Sequence, residues 1–475
     1  MAFNPPAPSA SLDPNIPQTL QSAKGTHPVQ VTRMNSSRRS FIKSASLGTL
    51  AAAFPAITRS ASPNSHFQVA TVGADGMAFS DLKQIGTHPK VKFVGFCDVD
   101  SNRFAKADAA FPNVPHFVDY REMLASLGDK VDGVSVSIPD HMHAHASIEA
   151  MKRGKHVYCQ KPLAHTVWEA RQMSLYASST RVVTQMGNQI HSNLEYRLGT
   201  RLIREGFIGK VKEVHSWASV TGNERNKLLT PPSESLKVPT NLNWDLWIGV
   251  AAMREYKSVY HPFVWRDWQD FGSGALGDFG CHILDPVFTA LDLHAPSSIS
   301  AENSGINDHI WPTLETVKFL FPANKLTSGA LPVTWYDGGL KPSKKLAKMP
   351  LGDELPSSGS LFIGEEGTLI LPHVGMPKLY PVEKFATRPL PEETKLSHWH
   401  VWVDAAMSGA KTSDGFHYAG PLSETVALGN IATRFPKRSL EWDTKALRFT
   451  NLEDANRYIT KSYRKGWEIA PAPSA

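Results

Sequence analysis

The sequence predicts an α/β chain: a doubly wound parallel sheet of the Rossmann type, then an α+β domain built on a large, mainly antiparallel open sheet. Three observations lead there. From residue 66, short apolar runs alternate with helical stretches; a glycine-bearing turn follows the first run and an acidic residue closes the second. Beyond residue 188, strand-like runs follow one another without helices between them.

At 475 residues the chain is long enough for two or three domains, and 41% hydrophobic with 20% charged residues is the balance of a globular protein. The formal net charge of +6 comes partly from Arg38, Arg39, Lys43 and Arg59 near the N-terminus. No lysine/arginine cluster interleaves with aromatics, so no nucleic-acid partner is expected. Cys97, Cys159 and Cys281 lie far apart with no CxxC pair, which argues against a zinc site or a disulfide scaffold.

Residues 1–33, with Pro5, Pro6, Pro8, Pro14 and Pro17 and no periodicity, are expected to be disordered or a misassigned extension, with Met34 as an alternative start. Residues 34–65 are expected to form a twin-arginine signal and linker. Ser37-Arg38-Arg39-Ser40-Phe41-Ile42-Lys43 precedes an alanine-rich apolar stretch, 44–57, too short to span a bilayer stably. This implies the twin-arginine export machinery as a partner and a periplasmic location, with membrane tethering if the signal stays uncleaved. Pro63 complicates cleavage after Ser62.

The dinucleotide-binding domain is expected over 66–188. Residues 67–72 read as the first strand, 91–96 as the second, 131–138 and 155–158 as two more, with a helix over 144–153 closed by Gly154. The turn at 73–78 is a degraded glycine fingerprint. Gly73 supplies the tight turn, Gly76 and Met77 lead into the helix, and Ala78 is small enough for helix–strand packing. Asp75 stands where glycine normally lets the backbone approach a diphosphate. Asp98, at the end of the second strand, is placed to hold a ribose diol. Its alternative role is to cap a helix starting at Ser101. Both features in register point to a dinucleotide, and Asp98 would repel a 2′-phosphate, so NAD is expected ahead of NADP.

The second domain is expected over 189–468. It offers a helix over 193–205, a strand over 211–217 and further strands over 316–321, 331–335 and 360–363. Residues 336–360 read as a loop that either covers the cleft or is solvated. Residues 469–475 are expected to be a disordered tail.

Two further segments resemble the glucose–fructose oxidoreductase / inositol dehydrogenase (Gfo/Idh/MocA) family. One is Ser137-Ile138-Pro139-Asp140-His141-Met142-His143; the other is Gln160-Lys161-Pro162, where that family carries Glu-Lys-Pro. The likeness continues through 184–189, Gly277-Asp278-Phe279-Gly280-Cys281-His282-Ile283-Leu284-Asp285, 440–443 and 463–467. It implies a nicotinamide-dependent sugar or cyclitol oxidoreductase in which Pro139 and its loop contact the nicotinamide, His282 accepts a proton and Asp278 orients the sugar. It also implies an open sheet through which copies associate. The residues carry a similar reading by themselves. Lys161, at a strand end before a proline, would be desolvated and therefore a usable base. Asp278 and His282 are four apart and share a helix face. Gln160 removes a charge beside Lys161. His141 and His143 are either cofactor-edge or helix-start residues. Arg266 either holds an anionic or polyhydroxy substrate or pairs with Asp267 or Asp270. Asn188, His191 and Trp265 complete the substrate candidates. No metal is expected.

Two other functions stay open on the same scaffold. One is a glycosidase that oxidises its substrate transiently, eliminates the aglycone and returns the hydride. The other is a non-catalytic sugar-binding protein, favoured by Asp75 and Gln160.

Overall fold

The computed structural model describes residues 66–220 and 228–473. The expected extension and twin-arginine signal therefore lie outside the described residues. Among the described residues no helix is long and apolar enough to cross a membrane.

The first sheet has six parallel strands: β1 (Phe67–Val72), β2 (Val91–Cys97), β3 (His116–Phe117), β4 (Gly133–Val136), β5 (His156–Gln160) and β6 (Thr184–Gly187). Their spatial order is β3-β2-β1-β4-β5-β6. The order reverses between β1 and β4, and a doubly wound sheet opens its crevice at that point. β1 and β4 are apolar along most of their length because helices cover both faces. Gly73 follows β1 with φ of +100°, and a Cβ there would stand 2.4 Å from the Ser137 carbonyl oxygen. Only glycine allows this approach of the two strand ends.

The second sheet has nine strands: β7 (Val211–Trp217), β8 (Ser298–Asn303), β9 (Glu315–Phe321), β10 (Leu331–Tyr336), β11 (Gly359–Gly364), β12 (Thr368–Pro372), β13 (Lys378–Tyr380), β14 (Ser439–Asp443) and β15 (Arg448–Phe449). Only β7 and β10 run parallel; the other pairs are antiparallel. Val317, Phe319 and Phe321 of β9 alternate inward toward the helices, while Lys318 and Leu320 face outward.

Several expectations change. The helix read over 144–153 is Asp140–Lys152, so Pro139 becomes its N-cap and His141 and His143 enter its buried first turns. Proline is tolerated there because a residue ahead of the helix donates no intrahelical N–H bond. The strand read over 131–138 is shorter, Gly133–Val136.

The loop 336–360 does not cover the cleft. It packs on the outer face of the second sheet, where Ala347 and Leu355 join Trp217, Leu361 and Ile370. There Trp217 Nε1 donates to the Pro356 carbonyl at 2.9 Å. The tail expected to be disordered is tied to the helix Val167–Thr180. Tyr176 donates to the Ala470 carbonyl at 3.0 Å, and the Ala472 N–H donates to Gln172 Oε1 at 2.7 Å.

Packing also crosses residue 188, where the first domain is expected to end. The helix His398–Ser408 returns to the first sheet, where Trp402 and Val403 share a core with Phe67, Val69 and Leu82. Trp402 meets Phe67 edge-on, ring centroids 5.4 Å apart.

Candidate active site

A cleft of about 340 Å³ opens beyond the carboxyl ends of β1, β2, β4 and β5. One wall is the glycine turn with Asp98 and Arg103. The other comes from the second domain, with Trp247, Phe263, Trp265 and Arg266.

At the turn, Gly76 has φ of +61° and open space where a Cβ would project. That cradle, followed at once by the helix Met77–Ile85, fits a dinucleotide whose diphosphate lies over backbone N–H groups. Met77 is exposed at the mouth. Asp75 does not oppose such a ligand, because Lys106 and Arg103 neutralise it at 2.7 and 3.3 Å. Burial works the other way, but those two cations and the Gly76 N–H hold its carboxyl below the ordinary value.

Asp98 is no helix cap; that task falls to Asp100, which accepts from the Asn102 N–H at 3.0 Å. Asp98 instead accepts from the backbone N–H groups of Ala74 and Asp100, each at 3.0 Å. This links the ends of β1 and β2 and leaves further lone pairs for a diol. Burial raises its pKa to about 6, against the pull of those two N–H donors.

The two histidines of the 137–143 run separate. His141 turns away from the cleft into an aromatic cluster, with its ring 5.4 Å from Trp247 and 5.2 Å from Phe271. Its Nε2 donates to the Trp247 carbonyl, and burial lowers its pKa to about 3. It is therefore not a cofactor-edge residue. His143 does line the cleft. Its Nδ1 lies 2.8 Å from the Pro162 carbonyl and its Nε2 2.6 Å from the Ile138 carbonyl. Two carbonyl acceptors require two N–H donors, so the ring is an imidazolium. Burial works against that charge, yet Cys159, the Asp140 carboxylate and the Pro162 carbonyl hold the pKa up to about 9. His143 thus ties the turn after β4 to the cis Lys161–Pro162 peptide after β5.

Gln160 has a specific partner. Its Nε2 donates at 2.7 Å to Asp81, a fully buried carboxylate on the helix Met77–Ile85. Ser137, Trp399 and Tyr158 donate to the same group at 2.8, 2.9 and 3.2 Å. A glutamate at position 160 would face Asp81 as a like charge. The amide is a donor that the buried acid can use; burial raises the Asp81 pKa, against the pull of Trp399, Gln160, Ser137 and Tyr158.

Lys161 is not isolated among apolar groups, as its position after a strand suggested. Its Nζ donates to Asp278 Oδ1 at 2.7 Å and also to the Asp278 carbonyl. Arg266 reaches the same Oδ1 through Nε at 3.1 Å, so its partner is Asp278 and neither Asp267 nor Asp270. Its guanidinium lies over the Trp265 ring at 4.2 Å. Asp140, also in the cleft, accepts from the Ser273 N–H at 3.1 Å.

His282 sits one turn beyond Asp278 on the helix Gly274–Leu291, outside the residues that line the cleft. Its ring is 5.8 Å from His373, and its buried Nδ1 has no hydrogen-bond partner. Burial first, then the Lys161 ammonium and His373, push its pKa well below the ordinary value, which keeps the ring neutral.

Two substrate candidates lie elsewhere. Asn188 is fully buried and donates to the Cys281 carbonyl at 3.0 Å. His191 pairs with Asp285 at 2.9 Å and lines a separate hollow beside the helix Leu194–Arg204. Sequence reasoning missed Asp81, Asp140, Arg103 and Trp247. Asp81 did leave a signal, an acid on the same helical face as Ala78, Leu82 and Ile85.

Residues 67–188 match the model of an oxidoreductase family described as an NAD-binding Rossmann fold (GFO_IDH_MocA), and residues 202–319 match that family's C-terminal alpha/beta domain. Glucose-6-phosphate 3-dehydrogenase of Bacillus subtilis is 26% identical over 46% of this chain and 53% of its own length. Glycosyl hydrolase family 109 protein 2 of Akkermansia muciniphila is 24% identical over 37% of this chain and 40% of its own. The chain spans about half the length of these curated relatives, or less. The WlbA dehydrogenase of Bordetella pertussis, solved with NADH and UDP-GlcNAcA, shares the fold. Its TM-score is 0.56 at 15% identity, covering 80% of this chain and 99% of that one.

Asp98 gives a pH test. With a folded pKa near 6, above the ordinary carboxyl value, the folded protein takes up a proton there. The stability linked to this group is full below about pH 4 and is lost as pH rises through its folded pKa. Cofactor affinity should run the opposite way, because the ionised carboxylate accepts ribose hydroxyls and repels a 2′-phosphate. Calorimetry should show NAD binding strengthening, and NADP falling behind, from about pH 5 to about pH 7. Asp98→Asn should flatten both trends; a flat wild-type profile would refute the assignment.

Proposed function

The chain belongs to the Gfo/Idh/MocA oxidoreductase family, and we propose that it moves hydride between NAD and a hydroxyl-bearing carbon of a sugar or cyclitol. One observation carries this: the cleft that starts at the glycine turn and Asp98 ends at the Lys161–Asp278–Arg266 cluster. A dinucleotide seated over 73–77, with its ribose on Asp98, would extend toward that cluster. Kinship with a sugar-phosphate dehydrogenase supports the substrate class.

When bound, NAD supplies the hydride acceptor. Lys161, as an ion-paired ammonium, holds the reacting oxygen with an N–H not engaged by Asp278. Asp278 fixes that ammonium and accepts a neighbouring hydroxyl. His282, neutral and one helical turn from Asp278, is our candidate to take the hydroxyl proton, and the Asp278 carboxylate favours the imidazolium that results. Trp265 holds the Arg266 guanidinium against its ring face beside the substrate. Copies of the chain would associate through the uncovered strip of the second sheet, where exposed Leu320 lies beside Lys318.

A second reading, transient oxidation followed by elimination of an aglycone, is favoured by the relatives named glycosyl hydrolase family 109. Incubating the NAD-loaded protein with free sugars and aryl glycosides in deuterated water separates the two. Net NADH formation is expected. Aglycone release without NADH, with deuterium beside the oxidised carbon, would decide for the glycosidase. Lys161→Met and His282→Asn should each lower turnover by roughly 100-fold, and either variant at the native rate would remove that residue from the chemistry.

Export by the twin-arginine route forms part of this proposal and rests on Arg38, Arg39 and the apolar stretch after them. Changing both arginines to lysine keeps the charge but loses the guanidinium geometry. Periplasmic fractions should then lose the protein; an undiminished amount there would overturn the export reading.

A further inference from the structure

Charged groups crowd the inner end of the cleft. Among the described residues Lys161, Arg266 and the His143 imidazolium face Asp278 and Asp140. Burial raises the Asp140 pKa, against the pull of His143 and Arg266. The region is largely desolvated: Lys161, Asp140 and Asp278 are each under a tenth exposed.

The three cations differ in how far their donors are engaged. Lys161 is committed to Asp278 by two hydrogen bonds, and His143 to two backbone carbonyls. Arg266 is committed only through Nε. Among the described residues no polar group engages its two Nη nitrogens, and Trp265 fixes the plane of the guanidinium from one face. The side chain is 22% exposed, within the cleft lining. An arginine with a fixed plane and two parallel free N–H groups matches a planar oxyanion in bidentate fashion. One free guanidinium edge fits a carboxylate monoanion better than a phosphate dianion, which would require a second free cation.

We propose that Arg266 selects a sugar carrying a carboxylate, such as a uronic or aldonic acid, over the corresponding neutral sugar. This rests on the oxidoreductase reading and specifies its substrate class. The acid group docks on the Nη edge of Arg266, with the sugar ring on the cleft side of the Lys161–Asp278 pair. A neutral sugar leaves that edge without a counter-charge.

The test uses the full chain and its NADH complex. NADH binding is measured first by calorimetry. D-glucuronate, D-galacturonate, D-glucose, D-galactose and glucose 6-phosphate are then titrated in turn. A charge-assisted bidentate contact should make each uronate bind roughly 10- to 100-fold more tightly than its neutral partner. Arg266→Met should bring that ratio toward one, and Arg266→Lys should restore part of it as a point charge without the planar fork. Uronates and neutral sugars binding alike, glucose 6-phosphate binding ahead of both uronates, or an undiminished ratio in Arg266→Met would each overturn the inference alone. Absence of NADH binding to the folded wild-type chain would take down the oxidoreductase reading and this inference with it.

Discussion

The structure depends on a buried carboxylate, Asp278, held between two cations from different parts of the chain. Lys161 arrives from the end of β5 and Arg266 from the turn that precedes the helix carrying Asp278. Removing one member of a buried pair leaves an uncompensated charge, at a cost of about 3–5 kcal/mol. The three groups therefore fix one another. Through them the first sheet, the long helix of the second domain and the aromatic segment over the cleft meet in one arrangement.

The same constraint recurs around that centre. Asp81 lies in the first domain beneath the cleft and has four donors in close range, among them Gln160 and Ser137, which themselves line the cleft. His143 carries a positive charge in a buried place because two strand-end carbonyls accept from it. In each case a charge costly to bury is retained with its hydrogen bonds complete, and its partners are backbone or side chains that shape the cleft. The departures from the family pattern fit this account. Gln160 complements Asp81, and Asp75 is neutralised by Arg103 and Lys106. Neither is a lesion of the site, which weakens the case for a non-catalytic binding protein.

Much of the frame was legible beforehand. The runs that became β1, β2, β7, β9, β10 and β11 have a strong apolar pattern of their own, and Gly73 with Asp98 announces a turn and an acid at adjacent strand ends. Legibility failed where distant segments decide. A helix near residue 400 gives no sign that Trp402 will pack against Phe67, because the periodicity of a segment says which face is apolar and not what it meets. The loop 336–360 offered no way to tell a cleft cover from a sheet cover, since its few apolar residues suit either.

The sequence by itself determined the fold class, the order of the two sheets, the dinucleotide turn and the types of residue available for chemistry. These follow from local spacing, and local spacing survives without knowledge of contacts. Tertiary structure decided what each polar group faces. It sent His141 into an aromatic cluster and His191 to Asp285, gave Gln160 a buried acid, and joined Arg266 to Asp278. Charge and hydrogen bonding act over a few ångströms of space whatever the separation in sequence. The state of a lysine, a histidine or an aspartate in this cleft is thus a property of the packed chain and not of its motifs.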